Sequence, residues 1–248
     1  MNEIRSYEKV LNNMSPKQWS LFLMENAYVT GNNINIELAE TFARVGTLMD
    51  FKHFLRIDQA EAPEESAETF LTYCGTLGYG VYLSKYYDYG LLNQLRERAN
   101  DPRLTIRKAV VNALRFIGRK KFQRLMNYVD GWQHGTPLEQ RACLAAVCSA
   151  ELLKDREAML VALELLEWGT ATFVEDIDWN KDYEALQEEV ARCWPIVVAA
   201  NPPKGKKMME RWMKEQHPMV VAIMKKSLQK DSLRALDEEW TSEWMAKL

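Results

Sequence analysis

The chain is poor in the residues that break or staple structure: 11 Gly, 8 Pro, 4 Cys and 3 His in 248 residues. So little Gly and Pro excludes a collagen-like or low-complexity chain. Four cysteines (Cys74, Cys143, Cys148, Cys193) are too few for a disulfide scaffold of this length, and they read as reduced, buried thiols. Nowhere do 18 apolar residues run together; stretches such as Trp194–Ala200 are too short to cross a bilayer. Met1–Arg5 lack the basic start and apolar core of a secretory leader, so a cytoplasmic protein that makes no use of a membrane is expected. Val and Ile total 24 against 51 Leu and Ala, so helix formers dominate over strand formers. A 47% hydrophobic content with a net charge of −3 excludes disorder.

Catalytic signatures are missing as well. There is no G-x-S-x-G, phosphate-binding glycine loop, dinucleotide fingerprint or H-E-x-x-H. His53, His134 and His217 are far apart in sequence. Cys143 and Cys148 lie on one predicted helix but diverge by about 140° around its axis, a poor geometry for sharing a metal. No catalytic residue, cofactor or metal site is expected.

What the sequence does carry is helical punctuation. Ser15-Pro16 reads as an N-cap followed by Pro at the first helical position, opening a helix that stops before Gly31, with Asn32 and Asn33 in the turn. Gly46 breaks the next segment, and Pro63-Glu64-Glu65 marks a further helix start. Phe70, Leu71, Cys74, Leu77 and Val81 form a stripe on a helix where Gly75, Gly78 and Gly80 allow a close crossing. Asp101-Pro102 is expected to open a helix with Asp101 as its cap. Ile106, Val110, Ala113, Leu114 and Ile117 form that helix's buried stripe, small Ala109 and Ala113 admit a neighbour, and Gly118 ends it. A partner helix over 120–130 completes a hairpin of roughly 35 residues, the unit from which α-solenoids stack. Comparable starts recur at Pro137-Leu138-Glu139-Gln140-Arg141-Ala142 and His217-Pro218-Met219-Val220, with further helices over 155–173, 182–200 and 203–215. Arg107 and Arg141 fit a structural role, bonding carboxylate or carbonyl groups of an adjacent pair.

The stretch from Asp101 to Gly118, with its Asp-Pro start, Ile106-Arg107-Lys108-Ala109, Ala113-Leu114 and Ile117-Gly118, resembles the first helix of a HEAT repeat. The match is looser at 137–148 and 217–228 and weak before residue 100. Residues 91–240, through Pro137–Ala142 and Arg192–Ala199, resemble a group of uncharacterised bacterial HEAT-repeat (armadillo-like) proteins. Spacings of 34 to 38 residues are short for that family and leave tetratricopeptide-like pairs open. The Trp-Leu-Gly…Tyr signature of those repeats is not visible, however. The resemblance implies an all-α, α-α superhelix: one solenoid domain over 1–248, with divergent helices over 1–100 and clearer repeats over 101–248.

Charge and aromatics point to a surface. Residues 100–129 carry a net +7, 151–190 a net −9 and 204–234 a net +6. Arg115, Arg119, Lys121 and Arg124 belong to the first basic segment. Six tyrosines fall between residues 73 and 89, of which Tyr82, Tyr86 and Tyr89 have helical spacing and are expected to share a face. Trp19, Trp194 and Trp212 read as core. Trp132, Trp168, Trp240 and Trp244 lie near helix ends, where exposure is open to them. The acidic run Glu175-Asp176-Ile177-Asp178-Trp179-Asn180 lacks the spacing of a calcium loop and reads as a solvated connection, with Asp178 or Asn180 capping the next helix.

The favoured expectation is a non-enzymatic scaffold that holds a protein or peptide partner on a curved helical groove. Arg115, Arg119, Lys121, Arg124, Tyr82, Tyr86, Tyr89 and Trp132 would provide its binding side chains. The alternative is a nucleic-acid-binding or DNA-repair protein akin to HEAT-like alkylpurine DNA glycosylases, with Trp132 and Asp130 beside Arg124 and Arg141. No motif carries that second reading, and an isoelectric point near 5.8 weighs against it.

Overall fold

The computed structural model of the protein describes residues 2–28 and 33–248. It is all-α: 78% helical, with fifteen α-helices and no strand among the described residues. Gly31 and Asn32 of the expected turn lie outside the described residues. The chain forms two compact units, Met1–Arg124 and Leu125–Leu248.

The first unit contains α1 (Asn2–Asn13), α2 (Pro16–Glu25), α3 (Ile36–Val45), α4 (Leu48–Phe54), α5 (Ala67–Lys85), α6 (Tyr89–Glu97) and α7 (Leu104–Lys120). Ser15 caps α2 in a capping box with Gln18, and Pro16 takes the first turn, where its missing N–H costs nothing. Gly46 ends α3 as expected. The next start is displaced: Ser66, not Pro63, caps α5 by accepting the Thr69 N–H at 3.2 Å.

Helix α5 is the centre of this unit, and α2, α3, α4, α6 and α7 all pack on it. Such burial on every side requires small residues where neighbours cross. A Cβ at Gly80 would lie 2.6 Å from the Ala113 Cα of α7, and one at Gly75 would lie 2.9 Å from the Phe51 carbonyl of α4. The glycines and Ala113 therefore act as the sequence suggested, as close crossings.

The Asp101-Pro102 start is corrected. α7 begins at Leu104, and Asp101 does not cap it. Its carboxylate instead takes a bidentate bond from the Arg103 guanidinium, Nε to Oδ1 at 2.9 Å and Nη2 to Oδ2 at 2.8 Å, as well as the Arg103 N–H. Arg103 is 3% exposed, and its Nη1 donates to the Ala62 carbonyl at 2.9 Å. Asp101 thus orients a buried arginine that ties the 58–62 loop to the start of α7. Gly118 does not end α7 either; the helix runs on to Lys120.

The chain continues through α8 (Phe122–Val129) into the second unit: α9 (Pro137–Val147), α10 (Arg156–Ala171), α11 (Lys181–Ala200), α12 (Pro202–Met213), α13 (Pro218–Leu228), α14 (Asp231–Leu236) and α15 (Glu238–Lys247). Helix α11 plays the central part here, packed by α9, α10, α12, α13 and α14. Pro195 sits inside it and cannot bond the Ala191 carbonyl one turn back. That carbonyl is met by the Ser227 hydroxyl of α13 at 3.0 Å, a hydroxyl that also lies 2.8 Å from the Ile223 carbonyl. Trp194, fully buried, donates its indole N–H to Thr170 Oγ1 at 3.1 Å. Buried Glu189 pairs with Arg192 at 2.5 Å and with Arg141 of α9 at 3.3 Å, the structural role expected of Arg141. Arg107, by contrast, bonds within its own segment and not an adjacent pair, donating to the Asp101 and Pro102 carbonyls at 2.8 and 3.0 Å. The four cysteines are free and buried.

Candidate functional site

In the first unit, α5 ends at Lys85 and Tyr86 is extended (φ −121°, ψ 149°), so Tyr82, Tyr86 and Tyr89 do not share one helical face. The tyrosines instead line a corner. The Tyr82 and Tyr86 rings meet at 4.8 Å between centroids, tilted by 40°, Asp88 caps α6 by accepting the Leu91 N–H at 3.0 Å, and Tyr89 opens that helix. Tyr86, Tyr87 and Tyr89 are 56, 58 and 72% exposed. Tyr87 was not singled out by the sequence pattern, yet it is the ring on which Arg124 rests, 4.2 Å from guanidinium carbon to centroid.

The basic residues expected alongside are largely engaged in the fold. Arg124 Nη1 donates to the Ser84 carbonyl at 2.5 Å and the Leu83 carbonyl at 3.3 Å, completing the C-terminal turn of α5. Arg119 bonds Glu40 at 3.0 Å, a carboxylate that also takes Arg44 at 2.7 Å. Arg115 is half-buried on α7, near Tyr73. Burial of that phenol raises its pKa to about 12, against the hydrogen bond from Asn112 and the positive charge of Arg115. Lys121 is exposed at the end of α7. Of the predicted residues, the structure brings Tyr82, Tyr86 and Arg124 together around the end of α5, with Tyr89 opening the next helix.

Trp132 belongs to the second unit and is 1% exposed, so it presents no face to a partner or a nucleotide. It follows Gly131, whose φ of +77° turns the chain and folds the indole inward. Trp168, Trp240 and Trp244 are half-buried. Trp240 donates to Glu210 at 2.8 Å. Trp212, expected in the core, is also only half-buried.

The acidic run of the second unit has more shape than a solvated connection. Asn180 caps α11 as expected, accepting the Asp182 and Tyr183 N–H groups at 2.9 and 3.2 Å. The residues before it, however, line a cavity of about 730 Å³. Phe173, Glu175, Asp176, Ile177 and Trp179 form one side, and His217 and Met219 from the start of α13 form the other. Trp179 is 44% exposed and meets Phe173 edge to face at 6.4 Å. Gln187 Nε2, from α11, donates to the Met219 carbonyl at 3.4 Å. His217 Nδ1 is buried with no hydrogen-bond partner. Its membership is invisible in the sequence, because the residues it joins lie about forty positions upstream. A second cavity of about 530 Å³ in this unit is lined mainly by Leu153, Pro195, Ile196, Ala199 and Ala200 and is largely apolar.

Among the described residues, no group of three His, Cys, Asp or Glu side chains is placed to hold a metal ion. None of their helices is long and apolar enough to cross a membrane. Burial raises the pKa of Cys143 to about 12 and lifts those of Cys74 and Cys193 well above the usual thiol range, which suppresses thiolate chemistry. No family model, no curated protein and no solved structure matches the chain.

Proposed function

We propose that the protein is a non-enzymatic interaction scaffold of HEAT-like helix pairs that takes a peptide segment of a partner protein at the α5–α6 corner. The observation that carries this reading is the cluster of three exposed tyrosines on a corner whose backbone is held by Arg124. Tyrosine supplies a large amphipathic contact at low entropic cost, with two χ angles and a hydroxyl that tolerates water. Pre-ordering of Tyr87 under the guanidinium lowers that cost further. Engagement of Arg119 and Arg124 within the fold favours a peptide over a phosphate backbone, whose affinity needs several unengaged cations.

A phage-displayed peptide library panned on the protein tests the assignment, with duplex DNA as the control ligand at about 50 mM salt. The expected result is a family of sequences enriched on the wild type and lost on the Tyr87→Ser/Tyr89→Ser variant. Equal enrichment on the variant, no enrichment, or preferential capture of DNA rejects it.

A further inference from the structure

We infer that the cavity between the Phe173–Trp179 segment and the start of α13 is a second binding site, independent of the tyrosine corner, which receives an arginine or lysine side chain of a partner peptide. Three observations converge on that chemistry. First, two carboxylates, Glu175 and Asp176, line the cavity, and no lysine or arginine does. α10 runs into this segment through the 3₁₀ turn Thr172–Val174, so its C-terminal carbonyl end adds negative potential. The N-terminal ends of α11 and α13 oppose it, but two helix ends amount to roughly one charge against two full ones. An anionic ligand is thereby disfavoured.

Second, Trp179 leaves nearly half its surface open at the rim and is braced edge-on by buried Phe173. An indole face held in this way attracts a guanidinium or ammonium. Third, the lining below the rim is mostly apolar (Ile177, Met219, Ala222), suited to the methylene stem behind such a head group. The volume of about 730 Å³ is in the range of sites that enclose a ligand, more than one side chain requires. Room therefore remains for flanking peptide. The feature that makes this a site rather than a solvated turn is the combination of acidic rim, open indole and apolar floor.

Calorimetry at about 50 mM salt tests it. The probe is acetyl-Ala-Leu-Arg-Leu-Lys-Ala-amide, and its neutral twin carries citrulline and norleucine in place of the two cations. The wild type is expected to bind the basic peptide and not the twin. Trp179→Ala should weaken binding about tenfold, the upper range of a partly desolvated cation–π contact. Glu175→Gln/Asp176→Asn should weaken it about threefold and flatten its salt dependence. These residues are exposed, so circular dichroism should show all variants folded. No binding by the wild type, equal binding of the twin, or undiminished affinity in Trp179→Ala overturns the assignment. Spermidine binding as tightly as the peptide assigns the cavity to a free polyamine and overturns the peptide claim. Tyr87→Ser/Tyr89→Ser should leave this binding unchanged, which separates the result from that of the tyrosine corner.

Discussion

Arg124 at the tyrosine corner and Glu175 at the acidic cavity are both charges near exposed aromatic rings, yet they do different work. Arg124 bonds two helix-terminal carbonyls and lies on a ring of its own unit. Glu175 and Asp176 are exposed on the rim of a cavity that their own unit leaves open. Over 1–124 the chain carries 17 Lys+Arg against 14 Asp+Glu, and over 125–248 it carries 15 against 21. Those totals suggest a basic surface and an acidic surface of equal standing. The structure separates them: prominent charges of the basic segment hold the fold together, whereas the rim charges of the acidic one face solvent. A charge run is evidence for a binding surface only after its internal partners are subtracted.

Stability measurements by urea denaturation can break or sharpen this contrast. Arg103→Ala should have the largest effect, about 3–5 kcal/mol, because it leaves the Asp101 carboxylate without its buried partner and the Ala62 carbonyl with only the Thr69 hydroxyl. A loss below about 1 kcal/mol would show that the first unit does not depend on its engaged cations. Glu189→Ala should cost somewhat less, about 2–3 kcal/mol, since Arg141 and Arg192 are nearer to solvent. It is the counter-case, a buried acid in the acidic unit that ought to behave like Arg103. Arg124→Ala should cost about 1–2 kcal/mol through the C-terminal turn of α5, and Arg124→Lys should recover only part of that, because an ammonium does not stack as a guanidinium does. Ser227→Ala should cost about 1 kcal/mol by orphaning the Ala191 carbonyl opposite Pro195. Glu175→Gln and Asp176→Asn should each change stability by less than about 0.5 kcal/mol. A clear loss there would show that the rim carboxylates are structural and remove the contrast.

Local chemistry was legible in the sequence and long-range chemistry was not. Ser15-Pro16, Gly46 and Asn180 act where they were expected, because a cap is a bond between residues two to four apart and its donors and acceptors are read off the spacing. Gly80 against Ala113 was half legible: each small residue implied a close neighbour, though neither named the other. Asp101 was misread because a second acceptor, the Ala62 backbone carbonyl about forty residues upstream, recruits Arg103 inward and leaves the carboxylate to serve the guanidinium. Tyr86 was placed on a helix by its spacing, but the helix had already ended one residue earlier. Trp132 was allowed exposure because it lies near a helix end, whereas the left-handed turn at Gly131 is what sends the indole inward. The acidic run was noticed but the cavity was not, since its two sides come from segments separated by the whole of α11 and α12.

The buried thiols also make the protein its own clock. A thiol sealed in a core reacts with an alkylating reagent only while the structure around it is open, so its labelling rate in native buffer measures how often that opening occurs. Cys74 lies in the first unit and Cys143, Cys148 and Cys193 in the second. Mass spectrometry of the alkylated peptides would thus time the two halves separately in one tube, without a mutation, and would report whether they open together or one at a time.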